Sequence, residues 1–205
     1  MPCRLLFILA MLALPWGASA QTVGSVTRQQ GHVTAVAGGV SRNLAPGAAV
    51  ERGDTLRTGD QARVEVTFAD GTDLVLGEDA VMAVERYVFD PAAKSGDALL
   101  SLERGAFLLT SGALAKLPGR PLAVKTPVAS IGLRGTRFWG GPLDETYNVL
   151  LFDGAVTVSN AVGGVDLVVP GAGTSLARPD QPPSIPLQWG DERIKRAVAT
   201  VSFAR

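Results

Sequence analysis

Short runs of alternating apolar and polar residues, closed again and again by glycine, constrain this chain more than any other feature. Val64-Glu65-Val66-Thr67-Phe68 alternates with period two, and Thr72, Leu74 and Leu76 resume the alternation after Ala69-Asp70-Gly71. Successive side chains of a strand point to opposite faces, so a one-residue slip sends a whole apolar set into water. A two-residue Asp-Gly loop sets Phe68 against Asp73 and leaves Leu74 and Leu76 on the wrong face. A three-residue loop pairs Phe68 with Thr72, Val66 with Leu74 and Val64 with Leu76, and is the predicted hairpin. Gly71 then takes the left-handed position of the turn, which glycine adopts without steric cost.

The same register test applies elsewhere. Across Asp153-Gly154 a two-residue loop pairs Leu151 with Val156 and Val149 with Val158, the pattern of a type I′ hairpin. At Gly163-Gly164 it pairs Val162 with Val165, Asn160 with Leu167 and Val158 with Val169, so residues 147–169 are predicted to form a three-stranded meander. Gly38-Gly39 and Arg104-Gly105 suggest two further hairpins, with Val33/Leu44 and Leu102/Phe107 as partners. Helical periodicity is almost absent before residue 190. The expected fold is all-β: an antiparallel meander, sandwich or β-roll of short strands with one short C-terminal helix. That helix is read from Ile194, Val198 and Val201 at i, i+4 and i+7 behind an Asp191 cap. Packing back on the domain is its expected role, and docking a partner is the alternative. The proline-rich stretch 177–186 before it reads as a linker leaving the domain.

Met1-Pro2-Cys3-Arg4, the apolar run Leu5–Leu14 and the small residues Ala18-Ser19-Ala20 have the form of a secretory signal peptide. The apolar run is short of the ~20 residues that span a bilayer, although retention as an anchor is the alternative to cleavage. The expected organisation is a signal peptide over 1–20, a β domain over 21–177, and a proline-rich linker with a short helix over 178–205. The expected location is periplasmic or secreted. Cys3 is the only cysteine, so a chain cleaved after Ala20 has no disulfide and depends on its apolar core. At 46% hydrophobic residues such a core is available, and disorder is excluded. Lys+Arg and Asp+Glu are both 19, and a dedicated nucleic-acid binder would show a basic excess.

The search for chemistry returns mostly absences. His32 is the only histidine, so an HExxH zinc site cannot form within one chain, and no G-x-S-x-G elbow is present to hold a nucleophile. Asp54, Asp60, Asp70, Asp73, Asp79 and Asp153 sit at turns, where aspartate satisfies backbone donors. A carboxylate pair of the glycosidase kind has no sequence signature, and nothing in the chain favours one. No catalytic residue, metal ligand or cofactor is predicted. Gly132-Leu133-Arg134-Gly135-Thr136 lacks the rest of a phosphate loop, but with Arg137 it makes a local basic pair beside Phe138-Trp139. Arg134, Thr136, Arg137 and Trp139 are therefore the candidate binding residues, with Phe138 assigned to the core.

An ordered series of short motifs resembles the extracytoplasmic domain of the ferric-citrate-regulator (FecR) family. It begins with Gly31-His-Val, Leu44-x-x-Gly47 and Gly53-Asp54-Thr55-Leu56-Arg57-Thr58. Val64-x-Val66-x-Phe68-x-Asp70-Gly71-Thr72, Leu100-x-Leu102-x-x-Gly105 and Val124-x-Thr126-Pro127 follow. Arg134-Gly135-Thr136-x-Phe138, Val149-x-x-Phe152-Asp153-Gly154-x-Val156-x-Val158 and Pro170-Gly171 complete it, the whole spanning roughly residues 24–177. The resemblance implies a non-enzymatic all-β module working outside the inner membrane, with Thr126-Pro127 and Arg134-Gly135-Thr136 as framework. Family members that regulate sigma factors carry a cytoplasmic segment where this chain has its signal-like start, so that activity is not expected to carry over. The expected function is binding or sensing through contact with an envelope protein such as a receptor or sensor. The alternatives are glycan or peptidoglycan binding through Trp139, and an envelope hydrolase using paired carboxylates.

Overall fold

The computed structural model describes residues 21–119 and 121–204; the signal-peptide assignment to residues 1–20 lies outside them. In chain order the first strands are β1 (Thr22–Gln30), β2 (Val33–Ala37), β3 (Val40–Asn43), β4 (Ala49–Glu51), β5 (Thr55–Thr58), β6 (Arg63–Phe68), β7 (Asp73–Leu76), β8 (Val81–Asp90), β9 (Ser95–Arg104) and β10 (Phe107–Thr110). A 3-10 turn at Leu114–Lys116 leads to β11 (Leu122–Lys125), β12 (Ser130–Leu143), β13 (Thr146–Ser159), β14 (Gly164–Leu167), β15 (Ala172–Leu176), β16 (Leu187–Gln188) and the helix α1 (Asp191–Ala199).

All of these strands belong to one curled mixed sheet with two wings, as the expected all-β class requires. The wings share the long hairpin β12–β13. The first runs β3-β2-β5-β8-β9-β11 and then through the start of β12 and the end of β13 to β14. The second runs β4-β1-β6-β7-β10 and then through the end of β12 and the start of β13 to β15 and β16. Pairing is antiparallel except between β9 and β11. The main core lies between the wings: Phe68 of β6 stacks on Tyr87 of β8, with ring centroids 4.5 Å apart. Phe107 meets Phe138 edge-on at 5.3 Å, a contact worth ~0.5–1.5 kcal/mol beyond area burial.

The β6–β7 hairpin has the predicted register, Val66 against Leu74 and Val64 against Leu76, with Gly71 at φ 80°. Gly38-Gly39 likewise turns β2 into β3, and the Leu44 amide donates to the Val33 carbonyl at 2.9 Å. Three of the expected turns are corrected. Asp153-Gly154 is not a hairpin turn but an irregularity inside the continuous strand β13, opposite Arg134-Gly135-Thr136 of β12. The real turn is Asp144-Glu145, both residues at positive φ. After β13 the loop is four residues long, because the Asn160 side chain accepts from the amides of Val162 and Gly163 and closes it early. Val158 therefore faces Val165 rather than Val169. Finally, Arg104-Gly105 is a corner: β9 pairs with β8 and β11, whereas β10 pairs with β7 and β12, so the chain passes there from one wing to the other.

The middle of the long hairpin is where each strand changes wing. Ile131 and Leu133 of β12 face the core, and beyond Gly135 the inward positions become Thr136 and Phe138. Along β13 the inward set shifts from Val149 and Leu151 to Val156 and Val158 across Asp153-Gly154. Bulged residues of this kind increase local bend and twist, which curls the sheet over its own core.

A second, smaller core lies on the outer face of the second wing. Val75, Leu108, Trp139 and Leu150 form a row across β7, β10, β12 and β13, and the C-terminal segment covers it. Trp189 meets Trp139 edge-on at 6.3 Å, and Ala197 and Val201 are buried beside them. The helix thus packs back on the sheet, as its amphipathic pattern suggested. Gly190 rather than Asp191 is its N-cap, and Asp191 and Glu192 stand in the first turn, where negative charge suits the helix dipole. The proline-rich stretch does not lead away from the sheet. Ser184 bonds to both backbone groups of Ser175, and β16 pairs with β15.

Candidate functional site

The polar residues of the sequence motifs turn out to hold the wings together. Asp54 is fully buried and receives both terminal nitrogens of Arg42, at 2.7 and 2.5 Å, together with the Glu51 amide at 2.8 Å. The hydrogen bond to Asp54 raises the Arg42 pKa above its ordinary value, and desolvation only partly opposes it. Asp70 gathers four donors: the amide and hydroxyl of Thr72, the Leu114 amide, and the Tyr87 hydroxyl at 2.5 Å. It thereby joins the β6–β7 hairpin, β8 of the opposite wing and the 3-10 turn. Burial, and then the hydrogen bond to Asp70, push the Tyr87 phenol well above the usual range.

Of the four candidate binding residues, Thr136 and Trp139 are internal. The Thr136 hydroxyl donates to the Asp153 carbonyl at 2.7 Å, and its amide donates to the Ser111 hydroxyl at 2.7 Å. Thr136 is therefore framework. Trp139 is fully buried under the C-terminal segment, its indole N–H donating to the Thr200 hydroxyl at 3.0 Å. It has no face to offer a sugar ring. Phe138 is core, as assigned. Arg137 is exposed and lies 5.5 Å above the Phe152 ring, a cation–π contact.

Arg134 alone of the four lines a substantial cleft. This cleft, of about 480 Å³, lies between the bulge of β12 and the segment after β10, and is walled by Ala115, Lys116, Leu117, Pro118, Arg134 and Gly135. Its size is within the ~300–1,000 Å³ of ligand-binding clefts. Lys116 and Arg134 face it from two different elements, and no carboxylate is among its walls. The sequence reading did not find Lys116, because a 3-10 turn carries no periodicity; the Pro118-Gly119 pair marks only the turn that follows. Among the described residues no group of three His, Cys, Asp or Glu side chains converges as a metal site would require. His32 is exposed, next to the first residue of β2.

The fold resembles two crystal structures of a candidate anti-sigma factor from Parabacteroides distasonis, with TM-scores of 0.53 and 0.54. Identity is 19% in each case, over 69% of this chain and 62% of the solved chain, so this chain spans less than two thirds of that protein's length. At that identity the likeness establishes the fold. No curated protein matches. Residues 54–157, half of the chain, match the family described as FecR protein, and they include Asp54, the whole Asp70 network, the wing-to-wing corner and the bulge of the long hairpin. The chain belongs to the FecR protein family.

Proposed function

We propose that this chain is a non-enzymatic regulatory or sensing module that is exported to the cell envelope and acts by binding another protein there. The observation that carries this reading is the family match together with what its motifs do in the fold. Asp54 and Asp70 are committed to bonds that tie the two wings, and Thr72 and Thr136 to bonds inside their own hairpins, so the shared residues build a scaffold and leave recognition to the surface. The Parabacteroides protein with the same fold is described as an anti-sigma factor candidate, which supports a regulatory protein contact. Export rests on the signal-like sequence of residues 1–20, and among the described residues no helix is long and apolar enough to cross a membrane. Both buried aspartates are held in structural bonds, which leaves a hydrolytic carboxylate pair without support.

The test is crosslinking in intact cells followed by purification from the periplasmic fraction. The expected result is one envelope protein enriched in stoichiometric amount. No enrichment with any crosslinking chemistry, or retention of the chain in the cytoplasm, overturns the reading.

A further inference from the structure

Most described arginines and lysines have an internal partner. Arg42, Arg63, Arg86, Arg104, Arg178 and Arg196 pair with carboxylates, and Arg28, Arg137 and Arg193 lie over aromatic rings. Lys116 and Arg134 have neither, and they share one cleft whose walls hold no acid, while a smaller hollow on the far side of Arg134 is lined by Asp166. An unpaired cation pair in a concave site concentrates positive potential there, even though the whole chain carries no formal net charge.

One side of the cleft is apolar, through Leu117 and Pro118. A small inorganic anion would leave that side unused, whereas an extended peptide presents charged and apolar side chains in alternation. Proline at 118 and the left-handed Gly119, at φ 84°, fix the turn that forms one wall. On the opposite wall Arg134 stands next to the bulge pinned by Thr136. A preformed wall lowers the ordering cost of binding.

We infer that the cleft between Lys116 and Arg134 receives an acidic, partly apolar peptide segment of a partner protein, with carboxylates on the two cations and an aliphatic side chain on Leu117 and Pro118. This deepens the protein-binding reading above and rests on it.

Fluorescence anisotropy with a labelled peptide alternating Glu and Leu tests the inference on the purified chain. Saturable binding is expected, weakened at least about tenfold in the double variant Lys116→Ala/Arg134→Ala, which corresponds to ~1.4 kcal/mol. Lys125→Ala, an exposed cation outside the cleft walls, should bind as the parent does, and a Gln–Leu peptide should not bind. Both altered side chains in the double variant are exposed, and an unchanged urea midpoint will show that it folds. Equal binding by the double variant overturns the inference, as does absence of saturable binding. Binding of anionic phospholipid vesicles with the same double-variant sensitivity, in place of the peptide, also overturns it. If the double variant still captures the crosslinked partner in cells, the cleft assignment fails while the protein-binding function stands.

Discussion

The Tyr87 hydroxyl donates to the Asp70 carboxylate across the gap between the two wings, at 2.5 Å, and the Tyr87 ring stacks on Phe68 two residues before that aspartate. One side chain thus supplies both apolar and polar cross-links between β8 and the β6–β7 hairpin. In Tyr87→Phe the stacking survives and the donor is lost, while Asp70 keeps its bonds from Thr72 and the Leu114 amide. A hydrogen bond to a charged group contributes ~1.5–3 kcal/mol. Urea unfolding should show a loss of that size with an unchanged m-value. A midpoint equal to the parent's would show that Asp70 needs no donor from the opposite wing.

Alkaline titration tests the same region without mutation. The chain has two tyrosines, and burial raises the phenol pKa of both Tyr87 and Tyr147 above the ordinary 10.0. The folded state therefore holds these protons more tightly than the unfolded chain. That contribution is complete below pH 10.0 and is lost as pH rises beyond it. Phenolate absorbance should stay flat until the protein unfolds, and then both tyrosines should ionise together. Either phenol titrating ahead of the loss of circular dichroism contradicts their burial.

Arg42 and Asp54 make the other polar anchor, between β3 and the turn after β4. Arg42→Met leaves a fully buried carboxylate with only the Glu51 amide. Removing one partner of a buried pair costs ~3–5 kcal/mol, and because the Arg42 side chain is 35% exposed the lower end is expected. Arg42→Met/Asp54→Leu should recover much of the loss, since no uncompensated charge remains. A double-mutant cycle with no coupling between the two sites would show that the pair contributes nothing to folding.

What could be read from the sequence, and what could not, follows from parity. The β6–β7 hairpin was legible because only one register kept Val64, Val66, Leu74 and Leu76 on one face, and a glycine stood where that register needed a left-handed residue. Asp153-Gly154 was misread because a two-residue turn and a bulge shift the inward set by the same one residue. The discriminating signal lies in the partner strand, where Ile131 and Leu133 give way to Thr136 and Phe138 at the matching place. Two parity changes that face each other mean one bent ladder, not two turns. Trp139 was misread because its cover, Trp189 and α1, arrives only at the end of the chain. Lys116 reaches Arg134 solely through the crossing of the 3-10 segment, which no local pattern encodes.

The bend can be tested at its glycine. Gly154 has φ 79°, and a Cβ there would sit 1.8 Å from the Gly135 carbonyl oxygen, so Gly154→Ala forces the two long strands apart. A loss above ~3 kcal/mol is expected. Gly38, at φ 55° in a surface turn, has nothing within 4 Å of the added carbon, so Gly38→Ala should cost only the ~1–2 kcal/mol of left-handed strain. Similar midpoints for the two variants would mean that the bulge yields freely.

Seating of the C-terminal segment depends on a glycine of a different kind. Gly173 of β15 is opposite Leu150, and a Cβ on it would lie 2.5 Å from the Trp189 indole and 2.8 Å from the Val149 carbonyl oxygen. Gly173→Val therefore ejects Trp189 from the outer face of the second wing, where it shields Trp139 and is itself covered by Arg193 at 4.0 Å. Helix α1 follows directly after Gly190 and is too short to persist without tertiary contacts, so it should detach with the indole. The inter-wing core shares none of these residues. Hydrogen exchange in Gly173→Val should speed up over 187–201 and expose the Leu108–Trp139–Leu150 row, with a red shift in tryptophan emission, while amides of β6 and β8 stay protected. Accelerated exchange throughout the sheet would instead show that the C-terminal cover and the inter-wing core unfold as one unit.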